Sequence, residues 1–473
     1  MKKTHLALAI IALLCLASFV NLSDARPFFD EGIYLTSGWL TASGQAPYTD
    51  FFAHKMPGIF FALAAIFYFS ATLFAARLFM SLIAVLVLLL IFFTAKQIFD
   101  EKTALASASL FAVWSAFLGS FWTVIEPFLV LFSLLGFFFF WKYFKEQKAG
   151  HIFLAGLFIG ISFLFKQTML LFAIAFFVLA LLIIKFYSKQ KIQKKVFPTA
   201  LLGFLIPIAI FVFFLLAANS LPAFLENVFG YYTGMLDFFS IITIDYKFIP
   251  ALLFFSFLPL SLLFLKKAIP EQKISLLLLW AFFIAMLSNL LPLRGCCLHF
   301  IPFLPSVAII SGFTVSKTLE LKKKPLLAYA GIAIVLSLSF AVFYQANFSL
   351  PEHNFESLQE VSAYIQENTV PEEKIAVFPA SPEIYFLTSR MPGLRQLHFF
   401  DPCPEKCQAY SLEDFEKKRP KLVVYFTVNN ELGSDSWEKV FLEQEYNLRK
   451  TMNLKHPLYN HYNYALIFEK KIK

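Results

Sequence analysis

The residues with the most chemistry to offer gather early in the chain. Asp30 and Glu31 follow closely on the first apolar run, in Phe29-Asp-Glu-Gly-Ile-Tyr. A carboxylate held beside lipid can serve as general base towards an acceptor hydroxyl or amine. Acidic residues are equally at home in the first turn of a helix, so capping explains the same pair as well. His54 and Lys55 come next, in His54-Lys-Met-Pro-Gly. A cation there can hold an anionic headgroup or simply snorkel to the interface. Glu126 stands in Thr123-Val-Ile-Glu-Pro, just before an apolar run, and Lys166 interrupts the apolar Phe163-Leu-Phe-Lys-Gln-Thr. A phosphate partner would account for Lys166, and so would an ion pair with Glu126. Arg77, Arg294 and His299 add further positive groups. Cations of this kind suit a phosphate or pyrophosphate, and the carboxylates supply a base.

Most of the 473 residues must form the elements that hold these groups. The chain is 59% hydrophobic with 15% charged residues, against the roughly 25% charge of a soluble domain. Its 63 phenylalanines suit side chains that face lipid. The net charge of +9 falls in short clusters between apolar runs, not on a basic face with interleaved aromatics, which argues against nucleic acid. A spanning helix needs about 20 apolar residues. Runs at 5–22, 72–95, 103–121, 127–144, 151–165, 169–185, 197–217, 247–265, 274–292, 299–316 and 325–344 qualify, about eleven by that rule. The first reads as an uncleaved signal anchor. Lysines at 2–3, 96–102, 142–148, 185–195, 266–273 and 317–324 then all fall on one side, the cytoplasm by the positive-inside rule. Residues 57–71 are too short to cross, and counting them would move the later lysines outside. They are expected to form an interfacial helix in a first outer loop, 23–71.

The spans therefore make an α-helical polytopic membrane core over 1–344, with a small extracytoplasmic α/β domain over 345–473. In that tail, Leu358, Val361, Tyr364 and Ile365 are spaced for an amphipathic helix. Ile375-Ala-Val-Phe, Leu422-Val-Val-Tyr-Phe and Tyr464-Ala-Leu-Ile-Phe read as strands, and a helical stretch lies near 435–446. Five cysteines are too few for a disulfide scaffold, although Cys403 and Cys407 could close a small loop outside the cell. No ligand spacing demands a metal, and a divalent ion held by the outer-face acids stays open.

Taken in order, these segments resemble the GT-C membrane glycosyltransferases, in particular the protein O-mannosyltransferase and aminoarabinose transferase family (glycosyltransferase family 39-like). The likeness rests on Phe29-Asp-Glu-Gly-Ile-Tyr, Gly44-Gln-Ala-Pro-Tyr-Thr-Asp-Phe, His54-Lys-Met-Pro-Gly, Thr123-Val-Ile-Glu-Pro, Phe163-Leu-Phe-Lys and Leu298-His-Phe-Ile-Pro-Phe-Leu-Pro. The resemblance implies a polyprenyl-phosphate sugar donor, inverting transfer to a glycan, lipid or protein acceptor on the extracytoplasmic face, and Asp30 as catalytic base. Glu31 and Glu126 would complete the acidic set, Glu126 standing where the family often has Asp. Lys55 would match the lysine of a Lys-Pro-Pro motif that contacts the lipid phosphate, with Met56 replacing the first proline. Lys166 would be a second basic contact, beside His54, Arg77 and His299. The expected location is the inner (plasma) membrane, with the N-terminus cytoplasmic. A transporter or flippase of lipid-linked sugars would share the spans and cations. It would also need midplane charges and paired broken helices, which the sequence does not display.

Overall fold

The computed structural model describes residues 2–20, 27, 29–117, 122–188, 190, 193–230, 257–265, 268–290, 297–320, 355–379, 381–397, 405–432, 437–458 and 462–471. Helices occupy the apolar runs in order: α1 Lys2–Val20, α4 Leu73–Ile98, α5 Glu101–Phe117, α6 Glu126–Glu146, α7 Ala149–Phe163, α8 Met169–Tyr187 and α9 Val196–Ala217. Two more, α2 Phe29–Ala42 and α3 Gly58–Phe67, lie in the first loop. Beyond α9 come the short α10 Leu221–Phe224, then α11 Phe257–Phe264, α12 Pro270–Met286 and α13 Leu304–Leu319. Among the described residues, six stretches are long and apolar enough to cross a membrane: Leu73–Ile98, Glu126–Glu146, Met169–Tyr187, Val196–Ala217, Pro270–Leu290 and Leu298–Leu319. The molecule is a polytopic membrane protein. Of the expected spans, 325–344 lies outside the described residues, as do the first part of 247–265, Arg294 and Cys403. The ten residues of α3 measure about 15 Å, half the hydrocarbon thickness.

The chain packs as two compact units that do not follow sequence order. One comprises Met1–Leu22, Arg77–Phe214 and Asp237–Leu350; the other joins Ser23–Ala76 and Leu215–Leu236 to Pro351–Lys473.

The first unit is built on close helix contacts made by small residues. Gly156 and Gly160, four apart on α7, face α9, and a Cβ on either would collide with the carbonyl oxygen of Ala200 or Phe204. Gly203 of α9 returns the contact against the Phe153 carbonyl. In lipid there is no hydrophobic drive between helices, so backbone proximity and dispersion supply the attraction. Gly312 of α13 meets Ser107 of α5 in the same way. Two buried polar pairs bridge elements of this unit: the Trp141 indole donates to Ser275 Oγ at 3.1 Å, and Thr168 Oγ1 to Asn289 Oδ1 at 2.8 Å. Leu170, Ile174, Val178 and Leu182 form an exposed stripe down α8, one turn apart. An apolar stripe of that length left uncovered fits a lipid-facing surface.

In the second unit the tail forms a four-stranded sheet of order β1-β2-β4-β3. Strand β1 Ile375–Phe378 runs parallel to β2 Leu422–Thr427, while β4 Tyr462–Lys470 is antiparallel to both β2 and β3 Tyr446–Leu458. A parallel pair needs a crossover. Residues 379–421 provide it, with helices α15 Glu383–Thr388 and α16 Glu405–Lys418. Flanking them are α14 Phe355–Asn368 and α17 Trp437–Glu445. Ala376, Phe378, Val423, Leu466 and Phe468 of the sheet bury against Phe415 and Leu442, with the Phe378 and Phe415 rings stacked at 5.8 Å. The three strands and two helices expected from pattern are present. Helices α15 and α16 and strand β3 were not anticipated. Strand β3 reads Asn447-Leu-Arg-Lys-Thr-Met-Asn-Leu-Lys, without clean alternation, because it is an edge strand whose lysines and arginine discourage further pairing.

Candidate functional site

Helix α2 carries the acidic pair in its first turn, with Asp30 partly exposed and Glu31 fully buried. Carboxylates are favoured there because the first amides of a helix lack intrahelical partners and the dipole is positive. From Glu31 to Leu40 every residue of α2 is buried. One face receives α3: a Cβ on Gly38 would lie 2.5 Å from Leu63 Cβ. Another receives the tail. Thr36 Oγ1 donates to the Pro382 carbonyl at 2.7 Å, and one turn earlier Gly32 lies against Glu383. The tail also meets α3, where the Phe67 and Phe386 rings lie 5.1 Å apart.

His54 and Lys55 lie in the loop that leads into α3. His54 is buried, its ring 6.2 Å from that of Phe52, and Lys55 is partly buried. The Tyr48 hydroxyl donates to the Lys55 carbonyl at 3.0 Å, and burial pushes that phenol up so that it remains a donor. Phe52 N donates to the Arg395 carbonyl at 2.7 Å, tying the loop to the tail. Beside this tie a cleft of about 310 Å³ opens among Gln45, Thr49, Lys374, Arg395, Lys417 and Lys418. Its cations are largely spoken for. Asp414 binds Arg395 through Nε and Nη2 at 3.1 Å and holds the guanidinium pKa up, while Lys417 and Lys418 pair with Glu413 and Asp414. Burial, reinforced by Arg395 and Lys374, pushes the Lys418 ammonium down.

The remaining sequence candidates belong to the first unit. Glu126 opens α6, followed by Pro127 in the first helical turn, where its missing amide costs nothing. Lys166, in the turn between α7 and α8, approaches it to 3.6 Å, with side chains 7% and 11% exposed. The ion-pair reading of Lys166 is therefore realised within this unit. Phe128 and Phe165 stack beside it at 4.7 Å. Arg77 is fully buried on α4, its guanidinium 4.8 Å above the Trp122 ring. His299 sits in the 3-10 turn Cys297–Phe303 that precedes α13. Among the described residues, no three His, Cys, Asp or Glu side chains converge as a metal ligand set.

One site residue escaped the sequence reading. Glu383, fully buried, reaches α2 from the tail. Ser381-Pro-Glu signals a helix start, but nothing local says that this glutamate faces a helix some 350 residues earlier.

Residues 54–216 match the family model described as dolichyl-phosphate-mannose-protein mannosyltransferase. That stretch includes His54, Lys55, Arg77, Glu126 and Lys166. No curated protein matches the sequence. Among solved structures, ArnT from Cupriavidus metallidurans bound to undecaprenyl phosphate aligns with a TM-score of 0.65 at 13% identity, over 99% of this chain and 98% of that one. The apo oligosaccharyltransferase of Archaeoglobus fulgidus aligns with 0.58 at 13% identity, over 89% and 69%. The archaeal oligosaccharyltransferase AglB from the same organism, in complex with an inhibitory peptide and a dolichol-phosphate, gives 0.53 at 13%, over 90% and 69%. The chain thus has an ArnT-like GT-C fold, and over residues 54–216 it matches the mannosyltransferase family model.

Proposed function

We propose that this protein transfers a sugar from a polyprenyl-phosphate donor to an acceptor on the extracytoplasmic face of the inner membrane, with Asp30 as general base. The observation that carries the reading is the likeness along nearly the whole chain to ArnT, a structure that holds undecaprenyl phosphate. The carboxylate pair at the start of α2 supplies the chemistry. Asp30, the more exposed of the two, takes the proton of the acceptor hydroxyl or amine as that atom attacks the anomeric carbon. The bond from that carbon to the phosphate oxygen breaks on the opposite face, so the product has inverted configuration and the polyprenyl phosphate leaves with its charge. Lys55 and His54, in the same unit as Asp30, are the candidates for neutralising that phosphate. Glu31 is assigned to the acidic set that shapes the field around it.

Mass spectrometry of envelope glycans and polyprenyl lipids, from cells with and without the protein, identifies donor and product. In the same cells Asp30→Asn should lower product by about 10²–10⁴-fold, the usual worth of a general base, at unchanged protein level. Normal product with the Asp30→Asn variant removes Asp30 from the reaction. Substrate moved across vesicles with no change in covalent structure would replace transfer by transport.

A further inference from the structure

The first turn of α2 is held by a residue from the far end of the chain. An ideal Cβ at Gly32 would lie 2.5 Å from Glu383 Oε2, 3.2 Å from its Cβ and 3.3 Å from its Cδ. The Glu383 side chain thus occupies the space that a side chain at position 32 would fill. In an α-helix that space lies over the turn N-terminal to the residue. For Gly32 that is the turn bearing Asp30 and Glu31, whose amides have no acceptors within the helix. A carboxylate brought there finds a positive helix end.

Glu383 is itself firmly placed. It lies in the first turn of α15 and is fully buried. The helix is tied to the sheet by the Val377 amide, which donates to the Tyr385 hydroxyl at 2.9 Å. It is tied to α2 by the Thr36 hydrogen bond to the Pro382 carbonyl. At the end of α15, Arg390 reaches Thr369 Oγ1 at 2.9 Å and the Thr369 carbonyl at 2.8 Å. The carboxylate is therefore presented to α2 from a rigid base. Burying a carboxylate is costly unless its partners are arranged for it. Its service to α15 alone would be met equally by a glutamate turned to solvent.

We propose that Glu383 is a positioning residue for the acidic turn, fixing the orientation of Asp30 through α2. This rests on the transferase reading only for its catalytic consequence; the structural claim stands by itself. It makes the tail part of the site.

The test uses the full-length protein in lipid nanodiscs. Amide hydrogen exchange over residues 29–34 is measured for wild type, Glu383→Gln, Glu383→Asp, Gly32→Ala and Glu372→Gln, the last an exposed carboxylate of the same unit. Glu383→Gln should raise exchange there by about tenfold, and Gly32→Ala should match it by displacing the carboxylate. Glu383→Asp should recover part of the protection, and Glu372→Gln should change nothing. Unchanged exchange in Glu383→Gln overturns the proposal, as does a uniform rise across the whole unit, which signals plain destabilisation. In turnover, Glu383→Gln should lower kcat by about tenfold or more with the donor KM unchanged, the pattern of lost orientation. A loosened turn with wild-type kcat refutes the link to Asp30. If the wild type itself forms no product, the transferase reading fails and the exchange data still decide whether Glu383 holds α2.

Discussion

Replacing Glu126 by Gln while Lys166 remains would remove the carboxylate that pairs with a buried ammonium in the helical unit. The two charges stand 3.6 Å apart with side chains 7% and 11% exposed. At an effective dielectric of about 20 their attraction is about 4–5 kcal/mol. Withdrawing each ion from water costs several kcal/mol, so the intact pair gains little over an apolar pair of similar size. Removing one partner is a different matter, because the desolvation already suffered by the other is no longer offset; buried pairs broken this way lose about 3–5 kcal/mol. The separation exceeds an ordinary N–H···O distance, which places the expected loss near the lower end, about 3 kcal/mol. Glu126→Gln and Lys166→Met should each lose about that much, whereas the double variant should lose under about 1.5 kcal/mol. Unfolding in mixed micelles of increasing SDS content, followed by tryptophan fluorescence, measures all four corners of the cycle. Single losses below about 0.5 kcal/mol, or strict additivity, would refute the buried-pair reasoning.

The α7–α9 contact predicts an asymmetry among glycines on one helix. Gly156→Val should leave little folded protein by fluorescence-detected size exclusion, since the Ala200 carbonyl already occupies the Cβ position. Gly150→Ala meets open space and should stabilise by up to about 1 kcal/mol through helix propensity. Acidification should weaken the tail. Hydrogen bonding to Lys417 holds the Glu413 carboxyl below its ordinary value. A carboxyl depressed in the folded state contributes its stability above the unfolded value near pH 4.3 and loses it as pH falls through the folded one. Glu413→Gln should therefore flatten the acid limb of a melting-temperature profile between roughly pH 5 and pH 3. Lys418 has the opposite sign: its folded form binds protons less readily, so its contribution rises with pH, and Lys418→Met should stabilise the neutral protein by under about 1 kcal/mol.

Much of this protein could be read from its residues because lipid leaves a chain few choices. A run such as Met169–Tyr187 has no acceptable state in hydrocarbon except a helix, so composition and length already dictate α8 and its neighbours. The pairing of Glu126 with Lys166 was one of two local options, and only the folded unit selects it. The sheet strands with apolar faces, β1, β2 and β4, announced themselves by their side chains; β3 did not, because its identity comes from the edge it occupies. The acidic pair Asp30–Glu31 was equally visible, since a helix start beside a membrane is written in a few adjacent residues. What adjacent residues cannot carry is the company a helix keeps. That the first loop packs with the tail depends on contacts such as Thr36 with Pro382 and Gly32 with Glu383, each spanning some 350 residues of sequence. A glycine at 32 and a glutamate at 383 have ordinary local explanations. Only the tertiary structure, by putting one side chain where the other has none, joins them over the turn that bears Asp30.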